Sequence, residues 1–275
     1  MTAIDMRPAT DLAAIKQKQQ ATWSSGDYHM IGTQILITAE RLIESLDLRS
    51  TERVLDVATG SGNAALAAAR HGADVIGMDY VTSLLEHARR RAAAEVVEAT
   101  FQEGDAEALP FEDGSFDVVT SVFGAMFAPD QQRTATELAR VTRSGGRIGL
   151  VAHTPEGFIG SLFKVMAGHV PPAPGLKSPI LWGTEDRLRE LFGESAAGLE
   201  SRKRHFAFRY RTPEAYVDYW RRWYGPTLKA FEAVGPAGEA ALVQDLLDLV
   251  ARFNVATDGS MVVPNEYLET VIIMR

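Results

Sequence analysis

The chain has 275 residues, of which 46% are hydrophobic and 23% are charged. This balance is that of a globular protein, not of a disordered or fibrous one. Cysteine is absent, which excludes disulfides, thiolate metal sites, iron–sulfur clusters and a cysteine nucleophile. Acidic residues number 36 against 28 lysines and arginines, a net charge of −8 that argues against a protein held mainly by nucleic-acid phosphates.

Neither a leader nor a membrane segment is predicted. The first 21 residues carry charges and no apolar core, unlike a secretory signal. Uncharged stretches reach about a dozen residues, short of the ~20 that span a bilayer. We expect a soluble, cytoplasmic monomer or homodimer with no membrane contact and no metal site.

Residues 1–50 are predicted to form an N-terminal helical cap. Apolar residues recur at helical spacing over residues 30–47, which predicts a helix before the first strand. Residues 51–275 are predicted to form the main domain.

Strand-like and helix-like segments alternate over residues 51–154. Strands are predicted at residues 53–58, 73–78, 96–102, 116–122 and 147–153. Helices are predicted at residues 63–69, 83–94 and 130–141. Because right-handed crossovers place such helices on both faces of a parallel sheet, the pattern predicts a doubly wound, mostly parallel α/β fold.

The later segments differ in composition. Residues 155–182 hold five of the twelve prolines, which predicts an ordered loop insertion and no long helix. Residues 212–256 are predicted to form a helical lid insertion of two or three helices, interrupted at Gly225-Pro226 and Gly235-Pro236. A helix is predicted at residues 184–192, and strands at residues 202–210 and 267–274.

A cofactor loop is predicted where the first strand meets its helix. Gly60 and Gly62 allow close backbone approach to a ligand there. Asp79 ends the second strand, at the spacing of a carboxylate that binds ribose hydroxyls. A dinucleotide site would have a third glycine where Ala65 stands, and Asp56 would repel its pyrophosphate. The carboxylate suits the ammonium group of S-adenosylmethionine (SAM), which lacks phosphate.

Five motifs in order make the sequence resemble the class I SAM-dependent methyltransferases. It is similar to the methyltransferase-11 type, which includes enzymes of ubiquinone and menaquinone biosynthesis. The motifs are residues 54–62, 75–79, 104–111, 116–121 and 145–148, and the resemblance covers about residues 50–154. It implies a Rossmann-like, seven-stranded sheet with a reversed last strand, here residues 267–274.

The resemblance also implies a set of cofactor-binding residues. Gly60 and Gly62 would hold the methionine part and Asp79 the ribose, while Asp105 and Ala106 would contact adenine. Ala58 stands where many members have glycine. The full predicted set is Tyr28, Asp56, Ala58, Gly60, Gly62, Asn63, Asp79, Tyr80, Asp105, Ala106, Ser121 and Phe123, the last two at the end of the fourth strand. Each of the three aspartates also fits a loop-capping or turn role.

Residues for the methyl acceptor are less specific. His153, at the end of the fifth strand, could act as a general base or simply form a strand-end turn. Tyr28 could face the sulfonium or pack on the core. Tyr216, Tyr219, Trp220 and Trp223 form an aromatic stripe on one face of a predicted helix. This stripe could cover a flat acceptor or pack its helix against the sheet. The predicted acceptor-side residues are Met126, His169, Tyr219, Trp220 and Trp223.

The predicted reaction is in-line transfer of the SAM methyl group to a small, apolar or aromatic acceptor, with S-adenosylhomocysteine as product. The sulfonium already activates the methyl group, so the protein needs mainly to align the reactants and exclude water. Three alternatives remain open: an NAD-linked oxidoreductase, a SAM-binding module without transfer activity, and an RNA or protein methyltransferase.

Overall fold

The structure is a computed structural model that describes residues 11–275. Its seven strands are β1 (Arg53–Val57), β2 (Asp74–Asp79), β3 (Thr100–Glu103), β4 (Phe116–Val122), β5 (Thr142–His153), β6 (Ala196–Tyr210) and β7 (Met261–Met274). The α-helices are α1 (Leu12–Trp23), α2 (Tyr28–Gly32), α3 (Leu36–Leu46), α4 (Asn63–Arg70), α5 (Thr82–Glu95), α6 (Gln131–Val141), α7 (Phe158–His169), α8 (Glu185–Phe192), α9 (Pro213–Trp223) and α10 (Gly225–Phe253). The first ten residues of the predicted cap lie outside the described residues.

All seven strands form one sheet in the order β3-β2-β1-β4-β5-β7-β6. β1 to β5 pair in parallel, and β7 runs antiparallel to both of its neighbours. The predicted doubly wound, mostly parallel sheet with a reversed last strand is therefore confirmed. Chain order reverses between β1 and β4, and in open α/β sheets ligands bind at the carboxyl ends of strands beside such a point.

The middle of the sheet is buried on both faces, as the continuous apolar runs of the sequence require. Val54 and Leu55 of β1 and Val118 and Val119 of β4 have no exposed surface. This buried pair of strands forms a rigid base for the loops that follow them.

The prediction of a loop over residues 155–182 is wrong for the twelve residues of α7. The prolines flank this helix: Pro155 precedes it, and the others begin at Pro171. Because proline interrupts a helix only from inside it, the segment between them is free to form one. Its apolar side, which includes Phe158 and Leu162, is buried.

The late helices pack against the amino-terminal segment. α10 bends at Gly235, whose φ is 60°, at the second predicted Gly-Pro interruption. A Cβ atom on Gly225, at the start of α10, would lie 2.1 Å from the carbonyl oxygen of Thr22, so glycine allows the close contact with α1. Within the part of the chain that the structure describes, no helix has the length and hydropathy to cross a membrane.

Candidate cofactor and acceptor site

A cavity lies at the carboxyl ends of β1, β2 and β4. Lys16, Gln19 and Trp23 of α1 also line it. Predicted residues that line the cavity are Tyr28, Asp56, Ala58, Gly60, Asn63, Asp79, Tyr80, Asp105, Ala106 and Phe123. The cavity thus brings together ten of the twelve predicted cofactor residues.

The loop after β1 turns sharply because three of its residues have left-handed backbones. Gly60 and Gly62 have φ of 55° and 85°, and Ala58 has φ of 54°. A Cβ atom on Gly62 would also lie 3.0 Å from the Cβ of Ala88, so this glycine is needed for packing as well as for conformation. Gly62 is the N-cap residue of α4 and does not line the cavity.

Asp56 is buried beneath this loop and holds its shape. Its carboxylate accepts hydrogen bonds from the Thr59 hydroxyl at 2.5 Å, the Thr120 hydroxyl at 2.8 Å and the Ala65 amide at 3.1 Å. Burial raises the pKa of Asp56 to about 6. Its side chain thus braces the loop, as the capping alternative predicts, and the residue is also among those that line the cavity.

Asp79 connects the loop to β2. One carboxylate oxygen accepts from the Gly60 amide at 2.8 Å and the other from the Val81 amide at 2.9 Å. Burial raises the pKa of Asp79 to about 6. Because a carboxylate offers about four acceptor positions, Asp79 can still accept hydrogen bonds from ligand hydroxyls.

Beside Asp105 the cavity lining contains a lysine that sequence reasoning missed. The Lys16 ammonium of α1 lies 2.6 Å from the Asp105 carboxylate and also forms an ion pair with Glu107. Beside it, the Gln20 amide donates to the carbonyl oxygen of Tyr80 at 2.7 Å. Only the spacing of Lys16, Gln19, Gln20 and Trp23, which puts them on one helix face, could have indicated this contact.

The cavity also has an aromatic wall. Trp23 of α1 contacts Tyr28 and Phe127 with ring centroids 5.5 and 4.8 Å apart, and all three line the cavity with Phe123. Burial, with a smaller effect of Asp79, raises the pKa of Tyr28, so its phenol stays protonated at neutral pH.

Ser121 and His153 lie behind the cavity wall. The Ser121 hydroxyl donates to the Val57 carbonyl at 2.7 Å and accepts from the Ala125 amide at 2.9 Å. The His153 ring is buried and stacks on Phe123 with centroids 3.9 Å apart. Burial lowers the pKa of His153 to about 3, which keeps the imidazole neutral. Phe123 thus stands where it separates His153 from the cavity.

The predicted acceptor-side residues lie elsewhere. Met126 is buried outside the cavity lining, and His169 pairs with Asp245 at 2.7 Å. In the aromatic stripe, the Trp220 indole donates to the Tyr210 hydroxyl at 2.9 Å and the Tyr219 hydroxyl donates to the Met30 carbonyl at 3.0 Å. Trp223 also lies outside the lining. The stripe packs α9 against β6 and α2, the structural alternative for this pattern.

Comparison with known proteins agrees with this geometry. Residues 55–150 match the family described as Methyltransferase domain. An uncharacterized protein of Mycobacterium tuberculosis, Rv1403c, is 38% identical over 241 residues, covering 86% of this chain and 88% of the relative. Demethylmenaquinone methyltransferase of Thermus thermophilus is 40% identical over 131 residues, covering 46% of this chain and 60% of that enzyme. The YcgJ protein of Bacillus subtilis has a similar structure, with a TM-score of 0.61, 24% identity, and coverage of 86% of this chain and 97% of that one.

Proposed function

Because the chain belongs to the class I SAM-dependent methyltransferases, we propose that it methylates a small, apolar or aromatic molecule. The observation that carries this proposal is the composition of the cavity lining. It combines the carboxylates Asp56, Asp79 and Asp105 with the rings of Trp23, Tyr28 and Phe127.

The carboxylates of the cavity lining fit SAM. Asp79 retains acceptor capacity for ribose hydroxyls, and Asp105 can accept from the exocyclic amine of adenine. Asp56 adds negative charge beneath the glycine loop, which favours a ligand with an ammonium group over one with a pyrophosphate. SAM, when bound, supplies a methyl group that its sulfonium makes electrophilic.

The aromatic rings of the cavity lining suit a flat acceptor. Aromatic walls exclude water and align a planar molecule by packing, and alignment with desolvation is the main requirement of an in-line methyl transfer. The protonated phenol of Tyr28 can donate a hydrogen bond there, and its ring face favours a nearby sulfonium. His153 has no part in proton transfer here, because Phe123 separates it from the cavity.

The relative from Thermus thermophilus supports the acceptor class. Its name states action on demethylmenaquinone, a molecule that contains a planar quinone ring, and its similarity is confined to 46% of this chain. We therefore propose the class of acceptor, a small planar ring, and not that molecule.

Two measurements test the proposed function. Calorimetric titration should show that S-adenosylhomocysteine binds the full chain and that NAD does not. A methyl-release assay with labelled SAM should then give turnover with planar aromatic acceptors and none with RNA. Binding of NAD in place of S-adenosylhomocysteine would contradict the cofactor assignment, and cofactor binding without turnover on any planar acceptor would contradict the acceptor class.

A further inference from the structure

The amide oxygen of Gln19 is buried and has no hydrogen-bond partner among residues 11–275. Gln19 belongs to α1 and lines the cavity. Buried polar atoms in folded proteins almost always have a partner, because an unpartnered acceptor has lost its hydration without compensation. This atom therefore stands at a place where a donor from a ligand would stabilise it.

Contacts on both sides fix the position of Gln19. Lys16, three residues earlier, binds Asp105 and Glu107, and Gln20 donates to the carbonyl oxygen of Tyr80. One turn later, Trp23 packs on Tyr28 and Phe127. Since no residue of α1 is fully buried, these contacts hold the helix over the cavity and direct Gln19 into it.

We propose that Gln19 is a cofactor-binding residue whose amide oxygen accepts a hydrogen bond from the adenosyl part of SAM. The inference rests on the proposed function. Its neighbours on α1 contact Asp105, at the adenine end, and Tyr80, which follows the ribose-binding Asp79. Gln19 therefore lies between the groups assigned to adenine and to ribose. The exocyclic amine and the ribose hydroxyls are the donors of the adenosyl group in that region.

This role of Gln19 predicts that removing its amide stabilises the free protein and weakens cofactor binding. Gln19→Met has a similar size and no buried acceptor, so the free protein should melt at a higher temperature than the wild type. The same variant should bind S-adenosylhomocysteine about 3- to 10-fold more weakly, the range for one neutral hydrogen bond. A merely structural glutamine would instead give a lower melting temperature and an unchanged Kd.

Matched variants complete the experiment. Gln17→Met changes an exposed residue of the same helix and should alter neither quantity. Gln19→Glu keeps an acceptor atom at this position and should retain more binding than Gln19→Met. If Gln19→Met does not fold, Gln19→Ala provides the same comparison of Kd.

The ligand used separates the possible failures. The loss in the Gln19 variants should be equally large for 5′-methylthioadenosine, which carries the adenosyl group without the amino-acid tail. A loss confined to S-adenosylhomocysteine would overturn the assignment to the adenosyl group, and equal Kd values in wild type and variants would overturn the role of Gln19. Absence of binding in the wild type would instead contradict the proposed function.

Discussion

The floor and the roof of the cavity are built in different ways. The floor consists of the loop after β1 and the end of β2, where Asp56 and Asp79 are buried and make five hydrogen bonds to the protein. The roof is α1, which has no fully buried residue and is held by Lys16, Gln20 and Trp23. Local stability follows buried contacts, so we expect the floor to be locally more stable than the roof.

Asp56→Ala should have the largest effect, because it removes the central acceptor of the floor. The hydroxyls of Thr59 and Thr120 and the Ala65 amide would lose their partner in a buried place, at about 1–3 kcal/mol each before relaxation. We expect a loss of about 3–5 kcal/mol in the free energy of unfolding, measured by urea denaturation. A loss below about 1 kcal/mol would show that the floor is not held by this carboxylate.

The floor should also make stability depend on pH. Burial raises the pKa of Asp79 and of Asp56 from 3.8 to about 6, so the folded state binds protons more tightly than the unfolded chain. The protonated carboxyls therefore add to the free energy of unfolding. This stabilisation is fully present below pH 4 and is lost as pH rises toward 6, by up to about 3 kcal/mol for each group.

Asp79→Asn tests this linkage, since it removes one titrating group. Denaturant unfolding between pH 4 and 7 should show a smaller decline with pH in the variant than in the wild type. Lys16→Met, a change in the roof, should keep the decline of the wild type. Identical profiles for the wild type and Asp79→Asn would contradict the raised pKa.

Lys16→Met should act on the roof alone. The Lys16 ion pairs are partly exposed, with 28% of its side chain accessible, so their loss should change stability by less than about 1 kcal/mol. The amides of α1 should exchange with solvent faster, and S-adenosylhomocysteine should bind about 5-fold more weakly, or about 1 kcal/mol. Lys18→Met, on the exposed side of the same helix, is the control. Unchanged amide exchange in α1 would contradict a role of Lys16 in holding the roof.

Ala58→Gly should give the smallest effect, with the opposite sign. The φ of Ala58 is 54°, a conformation that strains residues other than glycine by about 1 kcal/mol. Glycine relieves this strain but gains freedom in the unfolded chain, so we expect a net stabilisation of about 0.5 kcal/mol by urea denaturation. Ala69→Gly in the regular helix α4 should destabilise by about 1 kcal/mol. If Ala58→Gly destabilised the protein as Ala69→Gly does, the loop after β1 would not require the left-handed backbone at position 58.

The floor could be predicted from the sequence because its signals are local. Apolar runs, the glycines after β1 and the spacing from Gly60 to Asp79 lie within a single βαβ unit, and their geometry is set by short connections. The seven-stranded sheet and its reversed last strand followed from the family resemblance, and the structure confirms both.

The roof could not be predicted because its contacts join distant parts of the chain. Lys16 and Asp105 are 89 residues apart, and a lysine on a polar helix has no sequence signal that separates it from a solvent-exposed one. His153 shows the converse limit: its place at a strand end is predictable, but the Phe123 ring in front of it is not. For α7, counting prolines was misleading because their positions, and not their number, decide whether a helix can form.

The close backbone contact at Gly225 holds the carboxyl end of α1 in place. The carboxyl end of the helix is fixed against α10 through Thr22, whereas its amino-terminal half is attached by the charges of Lys16. A helix of twelve residues is about 18 Å long. A rotation about the Gly225 contact would therefore displace Lys16 further than Trp23.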